Sequence, residues 1–444
     1  VQNEENKNTI TDKLNVFWFR RDLRLNDNNA LYNALNSNIK VLPIFIFDKE
    51  ILDKLTNKAD KRVSVIYNLI LTLQQKIVDC GSSLLVLYGN TQEVFEKLTI
   101  QYKINAVYTN NDYEPKAIER DSKIAQLLNK KNIKFLSYKD QVIFEKSEIL
   151  KPDGKLYTVF TPYSKIWKKN LDIKKIENFT SENLLKNLVK TTPFNMPKIE
   201  SIGFIDTKFK IENYKINKKI IENYHNTRNF PYIDGTSNLS VHLRFGTVSI
   251  RELVKIAVNI NQQWLNELIW REFFMMILYH FPKVENSAFK TKYESIPWRN
   301  NEQEFQKWCE GNTGYPIVDA GMRQLNQTGL MHNRVRMIVA SFLTKHLLID
   351  WRWGELYFAE KLLDFELSSN NGNWQWASGS GCDAVPYFRI FNPYEQVKRF
   401  DPDLLYIKKW VSNLNEFSYQ QPIVDHKFAR ERAIMTYKKG LNQI

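Results

Sequence analysis

The segment WLNELIWR, Trp264 to Arg271, places two indoles, a carboxylate and a guanidinium within eight residues. On a helix Glu267 shares a face with Trp270 and with Arg271. That suits an i,i+4 ion pair beside a core tryptophan, or a carboxylate set against an aromatic pocket wall. HNRVRM, His332 to Met337, puts Asn333 and Met337 on one helical face with Arg334 to its side. An amide reads an amide or imide edge, and a thioether packs on a ring; a core Met and solvated arginines would give the same pattern. PYIDGTSNLS, Pro231 to Ser240, joins Gly235 to Thr236, Ser237, Asn238 and Ser240. Hydroxyls and free backbone amides next to a helix start form either a helix cap or a site for a phosphate or pyrophosphate. DFELSSNNGNWQW, Asp364 to Trp376, crowds polar groups between apolar turns and ends in two indoles, an unusual run for plain core. Gly379-Ser380-Gly381 is too small for a phosphate loop and reads as a turn.

The elements that must position these groups follow from periodicity. Val16–Phe19, Val41–Phe47, Leu84–Leu87, Ala106–Tyr108 and Phe135–Leu136 are short apolar runs that predict buried strands. Arg62–Cys80, Thr91–Tyr102 and Pro115–Lys130 are amphipathic and predict helices, with Pro115 suited to a first turn. This alternation predicts a doubly wound parallel sheet with helices on both faces, whose strand C-termini border the usual ligand crevice. No G-x-G-x-x-G follows the first strand, so an ordinary dinucleotide fingerprint is absent. Residues 141–204 are rich in Lys, Asn, Ser, Thr and Pro and predict a surface connector anchored at Val159–Tyr163. From about Ile211 the pattern is helical, with Trp264–Phe281 and Met322–Ile349 the clearest segments. The division expected is an α/β domain over 14–140, a connector over 141–204 and an all-α domain over 205–444.

Composition narrows the class. Hydrophobic residues at 43% and charged residues at 25% exclude disorder of the whole chain. No apolar run is long enough to span a bilayer, and residues 1–15 lack the apolar core of a secretory signal. Three scattered cysteines, Cys80, Cys309 and Cys382, make neither a disulfide framework nor a metal site, and the six histidines form no H-x-x-x-H pair. A reducing cytoplasm and no metal are expected. The net charge of +14 suits a nucleic-acid partner and equally a Lys-rich surface. Nine of the eleven tryptophans lie between Trp264 and Trp410, in the half that carries the polar clusters.

Taken together the motifs become specific. FWFRRDLR from Phe17 to Arg24 resembles the opening of the DNA photolyase and cryptochrome family. TGYPIVDAGMRQL, MHNRVRM, IDWRWGE, NNGNWQW and PYFRIFNP, in order between Thr313 and Pro393, resemble its flavin-domain signature. The resemblance runs from Val16 onward and is nearest to the class I cyclobutane pyrimidine dimer photolyases. It implies an α/β antenna domain, a long connector and a helical domain that buries a U-shaped FAD, reduced and anionic in the active state. By motif, Tyr224, Thr236, Ser237, Asn238, Leu239, Ser240 and Trp264 match FAD contacts. Arg336 and Asp364 match a pair flanking the isoalloxazine, and Asn370 matches the residue facing flavin N5. Glu366 stands where the family usually has Asp, so its longer side chain must shift to reach the flavin imide. Glu267, Trp270, Asn333, Met337 and Trp376 match the pocket for the dimer, which leaves the duplex to meet the flavin. Arg228, Arg271, Arg334 and Gln396, with Glu267 and Asn333, match contacts to DNA. Trp374, Trp351 and Trp298 match an electron-transfer chain running from flavin to surface.

The reaction implied is light-driven splitting of the dimer's two cyclobutane bonds by an electron lent from the flavin. The partner implied is UV-damaged DNA, with no membrane, no protein partner and a monomeric enzyme in a bacterial cytoplasm. Two rivals remain within the family. A (6-4) photolyase uses a His-His pair where this chain has His332-Asn333. A cryptochrome photoreceptor would favour another residue at position 370 and often a C-terminal tail, whereas this sequence ends at Ile444. A second, antenna chromophore of folate, deazaflavin or flavin type is open, with Asn111 and Glu114 the residues to inspect for folate.

Overall fold

The computed structural model describes residues 10–442; the reading of residues 1–15 as free of a signal lies partly outside them, as does the end of the chain. Backbone contacts divide the chain into two compact units, interleaved in sequence. One holds the chain up to Glu145 with Asp172–Lys215 and Leu239–Lys255; the other holds Lys146–Leu171, Ile216–Asn238 and Ile256 onward.

In the first unit all five expected strands form: β1 (Leu14–Phe19), β2 (Val41–Asp48), β3 (Leu85–Gly89), β4 (Ile104–Asn110) and β5 (Lys134–Tyr138). Every pairing is parallel, in the order β3-β2-β1-β4-β5. β1 and β2 are buried along their whole length, because helices cover both faces. The helices Lys61–Asp79, Thr91–Gln101 and Pro115–Asn129 fall where the amphipathic runs predict them, and short helices at Asn29–Leu35 and Lys49–Leu52 were not foreseen. The chain reverses its direction of winding between β1 and β4, the place where such sheets open a ligand crevice. Here that end is crossed by protein: Arg20 pairs with Asp121 at 2.6 Å and donates to the Asn110 carbonyl. Beside it a buried network joins Arg24 to Asp140 at 2.6 Å and Arg251 to Asp140 at 2.8 Å and to Asp27 at 3.0 Å. Burial pushes the Asp140 carboxyl up, but the two guanidinium groups hold it below the usual carboxylate range. Gly246, at φ +64°, lets this segment close on β1's exit, since a Cβ there would overlap the Arg21 carbonyl.

The second unit is helical. Its core packs Trp308, Val339, Phe342, Leu343, Trp351, Trp374 and Tyr406 in one cluster. Two expectations need correction. The stretch around Val159–Tyr163 is not an isolated anchor in a connector but the start of a helix, Phe160–Asn170. Pro162 sits in its first turn, where its missing N–H costs nothing. The helix is pinned by Trp167 Nε1 donating to buried Glu272 at 2.5 Å. Met322–Ile349 is not one helix. Pro316–Thr328 stops at Gly329 (φ +72°), Asn333–Ser341 restarts with His332 as its cap, and Phe342–His346 winds into a π-helical turn. Trp264–Phe281 is a single helix, Gln262–His280, capped by Asn261. Among the described residues no helix is long and apolar enough to cross a membrane.

Candidate active site

Three helices of the second unit carry most of the candidate residues. Gln262–His280 bears Trp264, Glu267, Trp270 and Arg271. Asn333–Ser341 bears Asn333, Arg334, Arg336 and Met337. Leu367–Ser378 bears Asn370, Trp374 and Trp376, with Asp364 and Glu366 just before it.

The first group gathers on the arginine side. Trp376, Met337, Arg334 and Gln396 line one cavity of about 250 Å³, together with Asn229, Arg389, Phe391, Arg399 and Phe400. Asn333 lies over the same turn as Met337, its Nδ2 4.0 Å from the sulfur. Arg334 donates to Asn229 at 2.7 Å and lies 4.3 Å over the Phe400 ring. Burial, then Arg228, Arg399 and Arg389, push its guanidinium down to about 10. Three arginines lining one cavity, Arg334, Arg389 and Arg399, are a site for anions. His332, just before this helix, accepts the Arg334 N–H at Nδ1. Its proton therefore sits on Nε2, which is buried without a hydrogen-bond partner among the described residues, as are Arg334 Nε and Gln396 Oε1. Burial and the charges of Arg334, Arg336 and Arg228 push this imidazole down to about 4.

Glu267 does not form the local pair with Arg271 that spacing suggests. It binds Arg228 at 2.5 Å and accepts from Gln263 at 3.0 Å, while Arg271 lies 3.9 Å from Glu366. Arg271 is thus placed beside the acidic residues preceding Leu367–Ser378 and not with the arginines of the cavity. Trp270 is held from behind: Phe160 stacks on it at 3.6 Å with the rings 5° from parallel. Tyr224 lies under the Arg228 guanidinium, and burial, then Glu267, raise its hydroxyl pKa.

The second group has the character of a flavin site. Arg336 bridges to Asp364 at 2.8 Å and donates from Nε to the Met331 carbonyl at 2.8 Å, which fixes the plane of the guanidinium. Glu366 accepts from Ser369 at 3.0 Å. Trp264 Nε1 donates to Ser237 at 3.4 Å, and Thr236 donates to Asn238, which sits at φ +52°. Leu239 and Ser240 fall in the first unit, where Leu239 is buried and Ser240 opens the helix Ser240–Phe245. Guanidinium, carboxylate, amide and hydroxyl groups of this kind are the donors and acceptors that an isoalloxazine and a pyrophosphate need, so the residues present fit FAD. Asn370 is buried, and its Nδ2 donates at 3.0 Å both to the main-chain oxygen and to Oε1 of Glu355. Glu355 escaped the sequence reading although it ends the IDWRWGE motif. Arg389 and Arg399 escaped it as well; their nearness to Gln396 in sequence was the available signal.

Trp374 and Trp351 are each only 2% exposed in the main core, and Trp298 packs half-buried against the same cluster. Gly354 has no room for a Cβ because the Trp374 ring lies on it. Trp298 meets Tyr437 edge-on at 5.7 Å. In the first unit Asn111 donates to Glu145 at 2.9 Å, and Glu114 pairs with Arg21 at 2.7 Å and Arg244 at 3.2 Å.

Comparison with known proteins agrees with this geometry. Residues 264–420 match the family model for the FAD binding domain of DNA photolyase, and residues 15–182 match that for DNA photolyase. The deoxyribodipyrimidine photo-lyase of Synechococcus sp. is 36% identical over 96% of both chains, and that of Escherichia coli is 34% identical over 95% of this chain and 98% of its own. Among solved structures, a bacterial class III photolyase from Agrobacterium tumefaciens superposes with a TM-score of 0.87 at 30% identity, covering 99% of this chain and all of its own. An archaeal photolyase from Sulfolobus tokodaii with two FAD molecules gives 0.81 at 33% identity over 96% of this chain and all of its own. A cryptochrome from Synechocystis sp., at 23% identity, shares the fold, with a TM-score of 0.80 over 96% of this chain and 99% of its own. Likeness of this extent in sequence, over nearly the full length of both partners, means that the chain belongs to the DNA photolyase family.

Proposed function

We propose that this protein repairs cyclobutane pyrimidine dimers in DNA with light, using FAD. The observation that carries the reading is the cavity in which Trp376 and Met337 meet Arg334 and Gln396. It joins an apolar wall to an anion site at the scale of a flipped dinucleotide. Held by the residues around Arg336 and Asp364, reduced FAD would supply, on excitation, the electron that splits the dimer, with no net redox change.

The chain's own residues bind, orient and keep water out. Indole faces of Trp270 and Trp376 and the thioether of Met337 pack against the fused pyrimidines. Phe160 keeps Trp270 from tilting. Asn333 and Glu267 read carbonyl and imide edges. Arg228, Arg334 and Gln396 hold the strand around the lesion, which makes binding salt-dependent. Arg228 and Glu267 are partners in the DNA-free protein, so a phosphate that draws Arg228 away frees Glu267 for the base. Around the flavin, Tyr224, Thr236, Ser237, Asn238 and Trp264 take the phosphate and ribose side, while Arg336, Asp364, Glu366 and Asn370 take the isoalloxazine side. Arg271, matched by motif to a DNA contact, lies 3.9 Å from Glu366 and away from the arginines of the cavity. Trp374, Trp351 and Trp298 carry the oxidising hole outward when oxidised flavin is photoreduced.

The same reading assigns residues 14–140 as an antenna domain, 141–204 as a connector and 205–444 as the FAD domain. The enzyme works as a monomer in the bacterial cytoplasm, with an antenna chromophore of folate, deazaflavin or flavin type. A (6-4) activity is disfavoured because Asn333 stands where a second histidine is needed.

The test is repair of a dimer-containing oligonucleotide by FAD-loaded protein with and without light. Repair should require light. Glu267→Ala should weaken dimer binding and lower repair yield, a lost polar contact in a dry site being about 1–3 kcal/mol, with FAD content unchanged. Light-driven repair that is absent in the parent, or undiminished in Glu267→Ala, overturns the assignment.

A further inference from the structure

A guanidinium over an indole is attracted to the neutral ring and repelled once the ring has lost an electron. Trp351 carries such a group: the Arg352 guanidinium carbon lies 4.7 Å from its ring centre. Among the described residues Trp374 and Trp298 have no cation over their rings. The guanidinium is held on every edge. Nη2 donates to both Glu294 carboxylate oxygens at 2.6 and 2.7 Å, Nη1 donates to Asp350 at 3.0 Å, and Nε donates to the Asn286 carbonyl at 3.1 Å. It therefore cannot swing off the ring as a free surface arginine would. Glu294 stands on the turn Thr291–Ser295 and is itself fixed by the Ala288 N–H, while Asp350 caps the helix Trp351–Lys361. One cation and two anions thus surround an indole that is 2% exposed.

We propose that Glu294 is a positioning residue for electron transfer: together with Asp350 it offsets the Arg352 charge on Trp351, so that the middle indole can hold the hole passed out from Trp374. This rests on the reading of Trp374, Trp351 and Trp298 as a chain. In the step concerned Trp351 gives one electron to oxidised Trp374, which is restored while Trp351 is oxidised; Trp298 then restores Trp351. Photoexcited oxidised FAD is the oxidant that starts the chain, and a thiol in solution refills its outer end. Glu294 and Arg352 are about one-third exposed, so solvent screens them. One unit charge at such a site changes the stability of the hole about fivefold, far less than in a dry interior. The sign is set by the charge removed: losing Glu294 works against the hole, and losing Arg352 works for it.

The experiment uses FAD-loaded full-length chain carrying Trp298→Phe, in which the hole can go no further than Trp351. Its lifetime after a flash, read from the visible absorption of the tryptophan radical, then reports how stable it is there. Glu294→Gln keeps an acceptor for Arg352 and removes the charge; it should shorten that lifetime about fivefold. Arg352→Gln should lengthen it, and the double variant, which has the parent's net charge at this place, should fall between the two. Thermal unfolding of the FAD-free chain reads the structural cost separately. A clamp that serves only the fold would lower Tm and shorten the lifetime in all three variants. Any result in which the two single variants fail to move the lifetime in opposite directions overturns the proposal and leaves the chain standing. A double variant outside the range of the singles also overturns it. Trp351→Phe in the same background should remove the long-lived radical; a radical that persists there removes the chain reading, and the proposal with it.

Discussion

Arg334 tests whether the arginine cluster is there for DNA or for the fold. Its guanidinium is held near 10 in place of 12.5, by burial and by Arg228, Arg399 and Arg389. At ~1.4 kcal/mol per factor of ten that difference corresponds to about 3 kcal/mol of unfavourable environment for the charge. The group is partly solvated, so screening cuts this to about 1–2 kcal/mol. Arg334→Gln removes the charge, keeps a donor for Asn229 and loses the contact over Phe400, worth about 0.5–1 kcal/mol. The DNA-free protein should therefore be no less stable, and up to about 1 kcal/mol more stable, a rise in Tm of roughly 2 °C. Binding of dimer-containing DNA should move the other way. A lost charged hydrogen bond is about 1.5–3 kcal/mol, roughly a ten- to hundredfold weaker Kd. The plot of log Kd against log salt should flatten by about 0.9 for duplex DNA. Repair of DNA already bound should stay near normal. The assays are thermal unfolding, and fluorescence anisotropy from low to moderate salt. A clear fall in Tm with an unchanged salt slope refutes the argument, since it would make Arg334 a structural residue.

Trp298→Phe should sharply slow photoreduction of oxidised FAD while chemically reduced enzyme repairs normally, because repair does not use the tryptophan chain; loss of both together would assign Trp298 to the core alone. Glu355 gives a pH signature in the FAD-free protein. Its folded carboxyl titrates near 7 against about 4.5 unfolded, so its proton stabilises the fold below about pH 4.5 and that contribution is lost as pH rises to about 7. The whole effect is about 3 kcal/mol. Relative to Glu355→Gln, the parent's urea midpoint should fall across that window; a flat difference would mean a solvated carboxyl.

The strands were legible because each is a continuous apolar run, buried on both faces, and such runs have few alternatives in a chain of alternating periods. Their lateral order was not, since nothing local in β1 tells it to sit between β2 and β4. Helix Gln262–His280 was legible from its period, whereas Met322–Ile349 misled because apolar spacing persists through a turn. The break lies in one residue, Gly329, which takes a left-handed conformation and brings the next strand of chain against Leu363. Phe160–Asn170 was hidden by its lysines, which sit on its outer face while Phe160, Tyr163 and Trp167 face inward. For the site, motif position placed Glu267, Arg336 and Asp364 on the elements where they occur. Partnership was illegible: the i,i+4 rule favoured Glu267 with Arg271, and the fold instead brings Arg228 to Glu267 and Glu366 to Arg271 from far along the chain.

Proton supply separates the two lesion chemistries this fold can host. Splitting a cyclobutane dimer by a lent electron needs no net proton transfer, so a pocket for it gains by having no acid that titrates near neutrality. His332 meets that condition. Burial and the charges of Arg334, Arg336 and Arg228 push it down to about 4, and its Nδ1 accepts the Arg334 N–H, so at neutral pH it is a neutral imidazole with its proton on Nε2. Glu267 is tied to the Arg228 guanidinium, from which it accepts. The remaining residues proposed for the lesion pocket, Asn333, Met337, Trp270 and Trp376, do not titrate. A carboxyl poised near 7, Glu355, lies behind Asn370, the amide proposed to face N5. On the proposed function, charge and proton chemistry are thus sorted: cations with a neutral imidazole at the proposed DNA side, and the titrating carboxyl at the proposed flavin side. A pocket sorted this way suits electron transfer to a dimer and is poorly suited to the proton management of a (6-4) lesion.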